Sequence, residues 1–322
     1  MNFRNVCVTI ISKVKFVGID LMEASEKCGI IIVNKEEGLT SQAVVNKIKR
    51  ILGVKKAGHT GTLDPLATGV LPILIGRGVK ASEFLLTKDK HYIATLLLGI
   101  ETDTEDITGR VIAKSERIPT DDEVFRAIKS MVGKSVQTPP MYSAIKIDGR
   151  KLCDLAREGI VVEREGREIE VFSIEAEKIN DLEYSLNIHC SKGTYIRTLC
   201  SDIGRRLGCY ACMKTLKRSE VSGFTLDDAK TLSEFENMTV AEQNSHIIPI
   251  EKIFLDFTKI TLPPFFARLA RCGQPIYTKK LGLRIDVGER VRFYDENGFF
   301  AIGEAILFDG DIVLKPIRQF DI

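Results

Sequence analysis

The residues of this chain best suited to chemistry lie in one short segment, Gly58-His59-Thr60-Gly61-Thr62-Leu63-Asp64-Pro65-Leu66-Ala67-Thr68-Gly69. Three glycines, one proline and one carboxylate fall within these twelve residues. Glycine lets a backbone approach a ligand closely, and Pro65 biases Asp64 towards an extended conformation. A lone carboxylate in a stiff loop can act as a nucleophile or a general base. It can equally cap its own backbone in an Asx-turn, and spacing alone favours that plainer role. The segment is not a phosphate loop, because G-x-x-x-x-G-K-[ST] is absent. Nor is it the Asp-Thr-Gly of an aspartic protease, since His59 stands where the aspartate would be.

Two further patterns carry less. Ser143-Ala144-Ile145-Lys146 matches the S-x-x-K of penicillin-binding hydrolases, but the accompanying S-D-N and K-T-G are missing. Its surroundings also read as a strand rather than a helix. Cys209-x-x-Cys212 is a redox pair or half of a zinc site by spacing, yet a structural zinc wants four ligands. Buried free thiols are the better reading, and no metal site is expected.

The elements around the loop follow from periodicity. The Ile-Ile-Ile-Val run makes Gly29–Asn34 a strand. Ser41–Leu52 is an amphipathic helix, with Val44, Val45, Ile48, Ile51 and Leu52 on one face. The apolar run Val70–Ile75 follows the loop, and Tyr92–Leu98 is a strand. Thr120-x-x-Glu123 is a capping box opening a helix to about Met131. Val171–Ile174 and Tyr184–His189 are strands. Thr194–Leu207 is a helix stopped by Gly208. Near the end, Asn297-Gly298 between apolar runs signals a hairpin.

These elements predict an α+β chain: a mixed, mainly antiparallel sheet with flanking helices, plus a small C-terminal β-barrel. The expected division is an N-terminal extension over 1–28, its order left open, a catalytic domain over 29–258, and a barrel over 259–322. Met22, just before the first strand, is a second candidate start of translation.

The 46 Lys and Arg against 44 Asp and Glu leave a net charge of only +2, but the charges are segregated. No acid lies between Glu37 and Asp64, where Lys47, Lys49, Arg50, Lys55 and Lys56 fall. Lys192, Arg197, Arg205, Arg206, Lys214, Lys217 and Arg218 form a second basic stretch, broken only by Asp202. Such segregation builds a positive face for a phosphate backbone, or two solvated helix faces. Lys47, Lys49, Lys55, Lys56, Arg205 and Arg206 are the pool for phosphate contacts. No apolar run approaches the roughly 18 residues that span a bilayer. The eight cysteines, without a secretory signal, point to reduced thiols in a cytoplasm. Trp is absent, so any base stacking falls to Tyr, Phe or His.

Taken together, several motifs in order resemble the TruB type of tRNA pseudouridine synthases, which act on uridine 55 of the T-loop. They are GHTGTLDPLATG; Gly29–Lys35 with Glu36-Glu37-Gly38-Leu39-Thr40-Ser41; Lys90-His91-Tyr92; Gly99–Thr104 with Asp106; Pro139-Pro140-Met141-Tyr142-Ser143-Ala144-Ile145-Lys146; and Cys190-Ser191-Lys192-Gly193-Thr194-Tyr195-Ile196-Arg197. The resemblance is strong over residues 29 to 225 and loose in the tail. It implies the pseudouridine synthase fold, a PUA-like tail, and a tRNA T-stem-loop as substrate. It also implies an isomerase with no cofactor; a monomer is expected because no coiled coil or long apolar edge is evident.

By the same resemblance Asp64 is the catalytic aspartate and Arg197 the guanidinium that keeps it ionised, lowering its pKa. Tyr92 is the active-site tyrosine, against the plainer role of a half-buried strand residue. His59 inserts into the RNA loop, Leu216 lies near the uracil or in the core, and Lys35 supports the catalytic loop. Lys146, Lys192 and Tyr195 join the RNA-binding set, and Pro140–Arg167 resembles the family's mobile RNA-gripping insertion. The alternative is a non-catalytic RNA-binding or tRNA-folding protein on the same fold.

Overall fold

The computed structural model describes residues 27–86 and 89–320. Most of the expected N-terminal extension, and the candidate start at Met22, lie outside the described residues. The chain opens with β1 (Gly29–Lys35), α1 (Ser41–Leu52), β2 (Ala57–His59), β3 (Thr68–Ile75), α2 (Ser82–Leu86) and β4 (Lys90–Leu98). A small hairpin, β5 (Ile100–Thr102) and β6 (Val111–Lys114), leads to α3 (Asp121–Lys129) and β7 (Gly133–Gln137). The expected insertion then holds β8 (Lys146–Ile147), β9 (Arg150–Lys151) and α4 (Leu152–Arg157). It is followed by β10 (Arg167–Lys178), β11 (Glu183–Cys190), α5 (Ile196–Leu207), β12 (Ala211–Val221) and β13 (Phe224–Thr225). Two short helices, α6 (Leu232–Asn237) and α7 (Val240–Ser245), lead to the tail.

The helix boundaries follow local chemistry. The Thr40 hydroxyl accepts from the Ala43 N–H to start α1, and Gly53 ends it at φ 67°. The capping box at Thr120 and Glu123 is present in both directions. Gly208 stops α5 in the left-handed region, at φ 65°.

The main sheet runs β1-β3-β12-β4-β11-β10-β7, with β2 on β3 and β13 on β12. Its pairings are antiparallel except β3 with β12, where Thr68 and Gly69 lie parallel to Lys217 and Arg218. The continuous apolar run of β1 has a physical reason, because both of its faces are buried. Ile31 and Val33 join a core under α1, α3, α5 and α6, while Ile30 and Ile32 join a second core on the opposite face. β3 divides likewise, with Leu71 and Ile73 on one side and Val70 and Leu74 on the other.

The tail comprises β14 (Thr258–Thr261), α8 (Pro264–Arg271), β15 (Ile276–Tyr277), β16 (Arg290–Asp295), β17 (Gly298–Phe308) and β18 (Asp311–Gln319). The Asn-Gly hairpin joins β16 to β17 as read from the sequence. The strands pair in the order β14-β16-β17-β18-β15. Among the described residues no pairing between β14 and β15 closes this path, so the expected barrel is an open five-stranded sheet. Phe299, Ile302 and Phe320 leave the tail's own core and pack with Ile30, Ile32, Val70 and Leu74 of the main sheet. The tail is thereby welded to the back of β1 and β3.

Candidate active site

The Asp64 loop is strapped from below. Lys35, at the end of β1, is fully buried. Its ammonium donates to the carbonyls of Glu36, Pro65 and Ala67 at 3.0, 3.1 and 2.5 Å. Ser41, the first residue of α1, accepts from Leu63 N at 2.8 Å and donates to Leu63 O at 3.0 Å. Gly38 N donates to Pro65 O at 2.8 Å. The loop's carbonyls thus turn inward onto a buried cation. Burial lowers the Lys35 pKa to about 8, although Asp64 and Glu37 pull the other way.

Above the strap, Asp64 Oδ2 lies 3.0 Å from Arg197 Nε. The carboxylate therefore serves a distant guanidinium rather than its own loop. Arg197 is 5% exposed at the side chain and Asp64 37%, so the cation is hidden and the anion presented. Tyr195 ends the approach to α5, and Gln137 locks it by accepting from Tyr195 N at 2.8 Å and donating to its carbonyl at 3.1 Å. Arg197, in the first turn of α5, donates from Nη1 to Thr104 O at 3.0 Å and from Nη2 to Tyr142 O at 2.8 Å.

A second carboxylate, Asp106, stands 3.7 Å from Arg197 Nη1. It accepts from Thr104 Oγ1, Thr108 N and Thr108 Oγ1 at 2.9, 3.0 and 2.5 Å. The two carboxylates bracket one buried guanidinium. Burial raises the Asp64 pKa above the ordinary range; Arg197 opposes this, Asp106 adds to it and Lys35 opposes it. Arg197 acts in the expected direction, lowering the pKa, but desolvation is the larger influence.

Tyr92 of β4 is 7% exposed, and burial raises its phenol's pKa. Directly across the sheet stands Arg218 of β12, fully buried and hydrogen-bonded to that phenol. Arg218 also donates to Val70 O at 2.8 Å and Gly61 O at 3.2 Å, tying the loop to the sheet. Gly69 explains one glycine of the motif. Its φ is 101°, and a Cβ there would meet the Arg218 carbonyl oxygen at 2.2 Å. The close approach that glycine permits is to β12, not to a ligand.

The remaining expected residues spread around this centre. His59 ends β2 half-buried, its pKa lowered by burial and by Arg218, with Nδ1 unpartnered among the described residues. Leu216 is 8% exposed and belongs to the main core. Tyr195 is half-buried beside Arg197 in sequence, and its pKa is raised chiefly by burial. Lys146 and Lys192 are exposed. The second basic stretch is not one positive face. Arg197 and Arg218 are buried, Arg205 pairs with Glu101 at 2.9 Å and Asp202 at 3.3 Å, and Lys214 pairs with Glu183 at 2.6 Å.

Sequence reasoning assigned no role to Asp106 or Arg218. Asp106 was visible only as part of a motif shared with the family, without a role of its own, and Arg218 as one cation in a basic stretch. Burial of a charge has no local sequence signal. Among the described residues, no three His, Cys, Asp or Glu side chains are grouped to hold a metal ion.

The family matches define the class, a pseudouridine synthase. Chains of a Cbf5–Nop10–Gar1 complex and of an H/ACA RNP bound to a substrate RNA containing 2′-deoxyuridine share the fold. They have TM-scores of 0.65 and 0.66 at 24% and 22% identity, covering 92% of this chain and 86% of theirs. Residues 49–196 match the N-terminal domain of the TruB family of pseudouridylate synthases. Residues 197–255 match the tRNA pseudouridylate synthase B C-terminal domain. A tRNA pseudouridine synthase B from Clostridium tetani is 42% identical over 86% of this chain and 95% of its own length. One from Aromatoleum aromaticum is 39% identical over 90% and 92%. The chain belongs to the TruB family.

Proposed function

We propose that this protein isomerises uridine 55, in the T-loop of tRNA, to pseudouridine, with Asp64 as the catalytic carboxylate. The relatives named tRNA pseudouridine synthase B support the reaction. The observation that carries it is the partly exposed Asp64 carboxylate 3.0 Å from the buried Arg197. The reaction breaks N1–C1′ and forms C5–C1′; C5 loses a proton and N1 gains one. Atoms balance without an oxidant, reductant or co-substrate.

Asp64 supplies the negative charge at the reacting centre, and Arg197 favours its ionised form against burial. Tyr92 stacks on the uracil with its phenol towards the departing C5 proton, and Arg218 fixes that phenol. Leu216 gives an apolar wall. The target base leaves its stack at a cost on the order of a few kcal/mol, and His59 fills the space it vacates. Lys35 holds the loop, and Lys146, Lys192 and Tyr195 meet the RNA. The retention of Asp64, Tyr92 and Arg197 together speaks against a purely non-catalytic RNA-binding role.

We assign residues 259–322 to a PUA-like module that holds the tRNA away from the target loop. A groove there, lined by Phe265, Phe266, Tyr277, Phe308, Lys280 and Lys315 among others, offers both rings for stacking and cations for phosphates. We take the enzyme to work as one chain. The free thiols of the described cysteines suit the cytoplasm.

The test is an unmodified tRNA transcript incubated with the protein and digested for nucleoside chromatography. Pseudouridine is expected at position 55, and none when that uridine is replaced by cytidine. An unchanged uridine 55 would overturn the proposal.

A further inference from the structure

A second concavity opens at the edge of β2, beside the Asp64 loop. Lys49, Lys55 and Lys56 line it with Gly58, His59 and Ser82, and its wall holds no carboxylate. Among the described residues none of the three lysines makes an ion pair. Their backbones are fixed. The Gly53 N–H bonds back to the Lys49 and Arg50 carbonyls. Val54 is buried and donates to Lys49 O at 3.1 Å, and Lys56 O accepts from Gly76 N at 2.9 Å.

A helix C-terminus explains only part of this. A cation in the last turn of α1 gains from the helix dipole, which accounts for Lys49 and Arg50. The dipole's influence fades within that turn, yet Lys55 and Lys56 lie beyond it. Three ammonium groups around one acid-free cavity repel each other until an anion arrives.

The cavity also adjoins the active site. His59 lines it, feels the charge of Arg218, and has a buried ring nitrogen without a partner among the described residues. Arg218 in turn bonds the Tyr92 phenol. His59 thus stands between the cavity and the Arg218–Tyr92 pair.

We propose that Lys49, Lys55 and Lys56 form a cradle for backbone phosphates of the RNA strand that enters the site past His59; this rests on the RNA reading given above. It divides the basic pool read from the sequence. Arg205 is already paired with Glu101 and Asp202, and Arg206 bonds Ser130 Oγ at 2.8 Å. The anions are met at the lysine end.

The test is the salt dependence of binding a T-stem-loop RNA. The triple variant Lys49→Gln, Lys55→Gln, Lys56→Gln should make the log–log slope shallower by about 2 to 3, at roughly 0.7–0.9 per lost phosphate contact. The matching Lys→Arg triple variant should restore it. Arg205→Gln with Arg206→Gln should leave the slope near that of the unaltered protein. A glutamine triple variant with the full slope would overturn the cradle. An unaltered protein that binds RNA through these lysines, yet forms no pseudouridine, would support the cradle and refute the catalytic reading instead.

Discussion

At Asp64 two opposing influences meet on one carboxylate. Burial and Asp106 push its pKa up, while Arg197 and Lys35 pull it down. The proposed active form is ionised, so the acid limb of the kcat/KM profile lies above the ordinary aspartate range. Replacing Arg197 by Gln removes the strongest stabiliser of the charge and should move that limb towards neutral pH. Asp106→Asn removes a like charge and should move it the other way. Measuring kcat/KM against pH for both variants checks the signs; limbs that stay where they are would contradict the electrostatic account. Arg197→Lys keeps a charge but loses the planar fork that reaches Asp64, Thr104 O and Tyr142 O at once. A fall in kcat of about 10²-fold, the scale for losing one oriented donor, is expected with RNA binding retained.

Among the elements, the strap from β1 and the weld to the tail make separate predictions. Lys35 has a folded pKa of about 8 against 10.5 in the unfolded chain. Between those values the unfolded chain holds a proton that the folded chain has released. Lys35 therefore makes stability rise as pH climbs through that window. Lys35→Met should flatten the rise in denaturant midpoints measured across it. At neutral pH the same change should cost about 2 kcal/mol, because buried loop carbonyls lose their donor. Deleting residues 262–322 strips Phe299, Ile302 and Phe320 from Ile30, Ile32, Val70 and Leu74. The truncated protein should melt at a lower temperature, as well as bind tRNA more weakly. An unchanged melting temperature would show that the shared core contributes nothing.

For the whole molecule, the net charge of +2 says little, because placement decides which charges act. Local signals were readable: the α1 face, the Thr120 box, Gly208 and the Asn297-Gly298 hairpin each depend on a few neighbouring residues. The link from Asp64 to Arg197 came from a family resemblance, since nothing local joins residues so far apart in sequence. Arg218 was missed because a buried charge looks like any other in a charged stretch, and Asp106 stood in a quoted motif with nothing local to show that it faces Arg197. The open path of the tail was missed for a related reason. Closure depends on whether β14 meets β15, a pairing that hairpin turns do not specify. The two-faced burial of β1 was written in its unbroken apolar run, but not what would cover each face. At the exposed lysines of the tail groove, Lys280→Gln with Lys315→Gln should weaken tRNA binding and leave the melting temperature unchanged, which separates RNA contact from packing.

The central claim is that the Asp64 charge performs the isomerisation. Asp64→Asn preserves size and polarity and removes that charge. Pseudouridine in an unmodified T-stem-loop transcript should be counted after incubation with the variant, with RNA binding measured in parallel as the check on folding. Binding is expected to stay near that of the unaltered protein, because most affinity comes from phosphate contacts elsewhere, while pseudouridine formation is lost. Turnover by Asp64→Asn close to that of the unaltered protein would contradict the account.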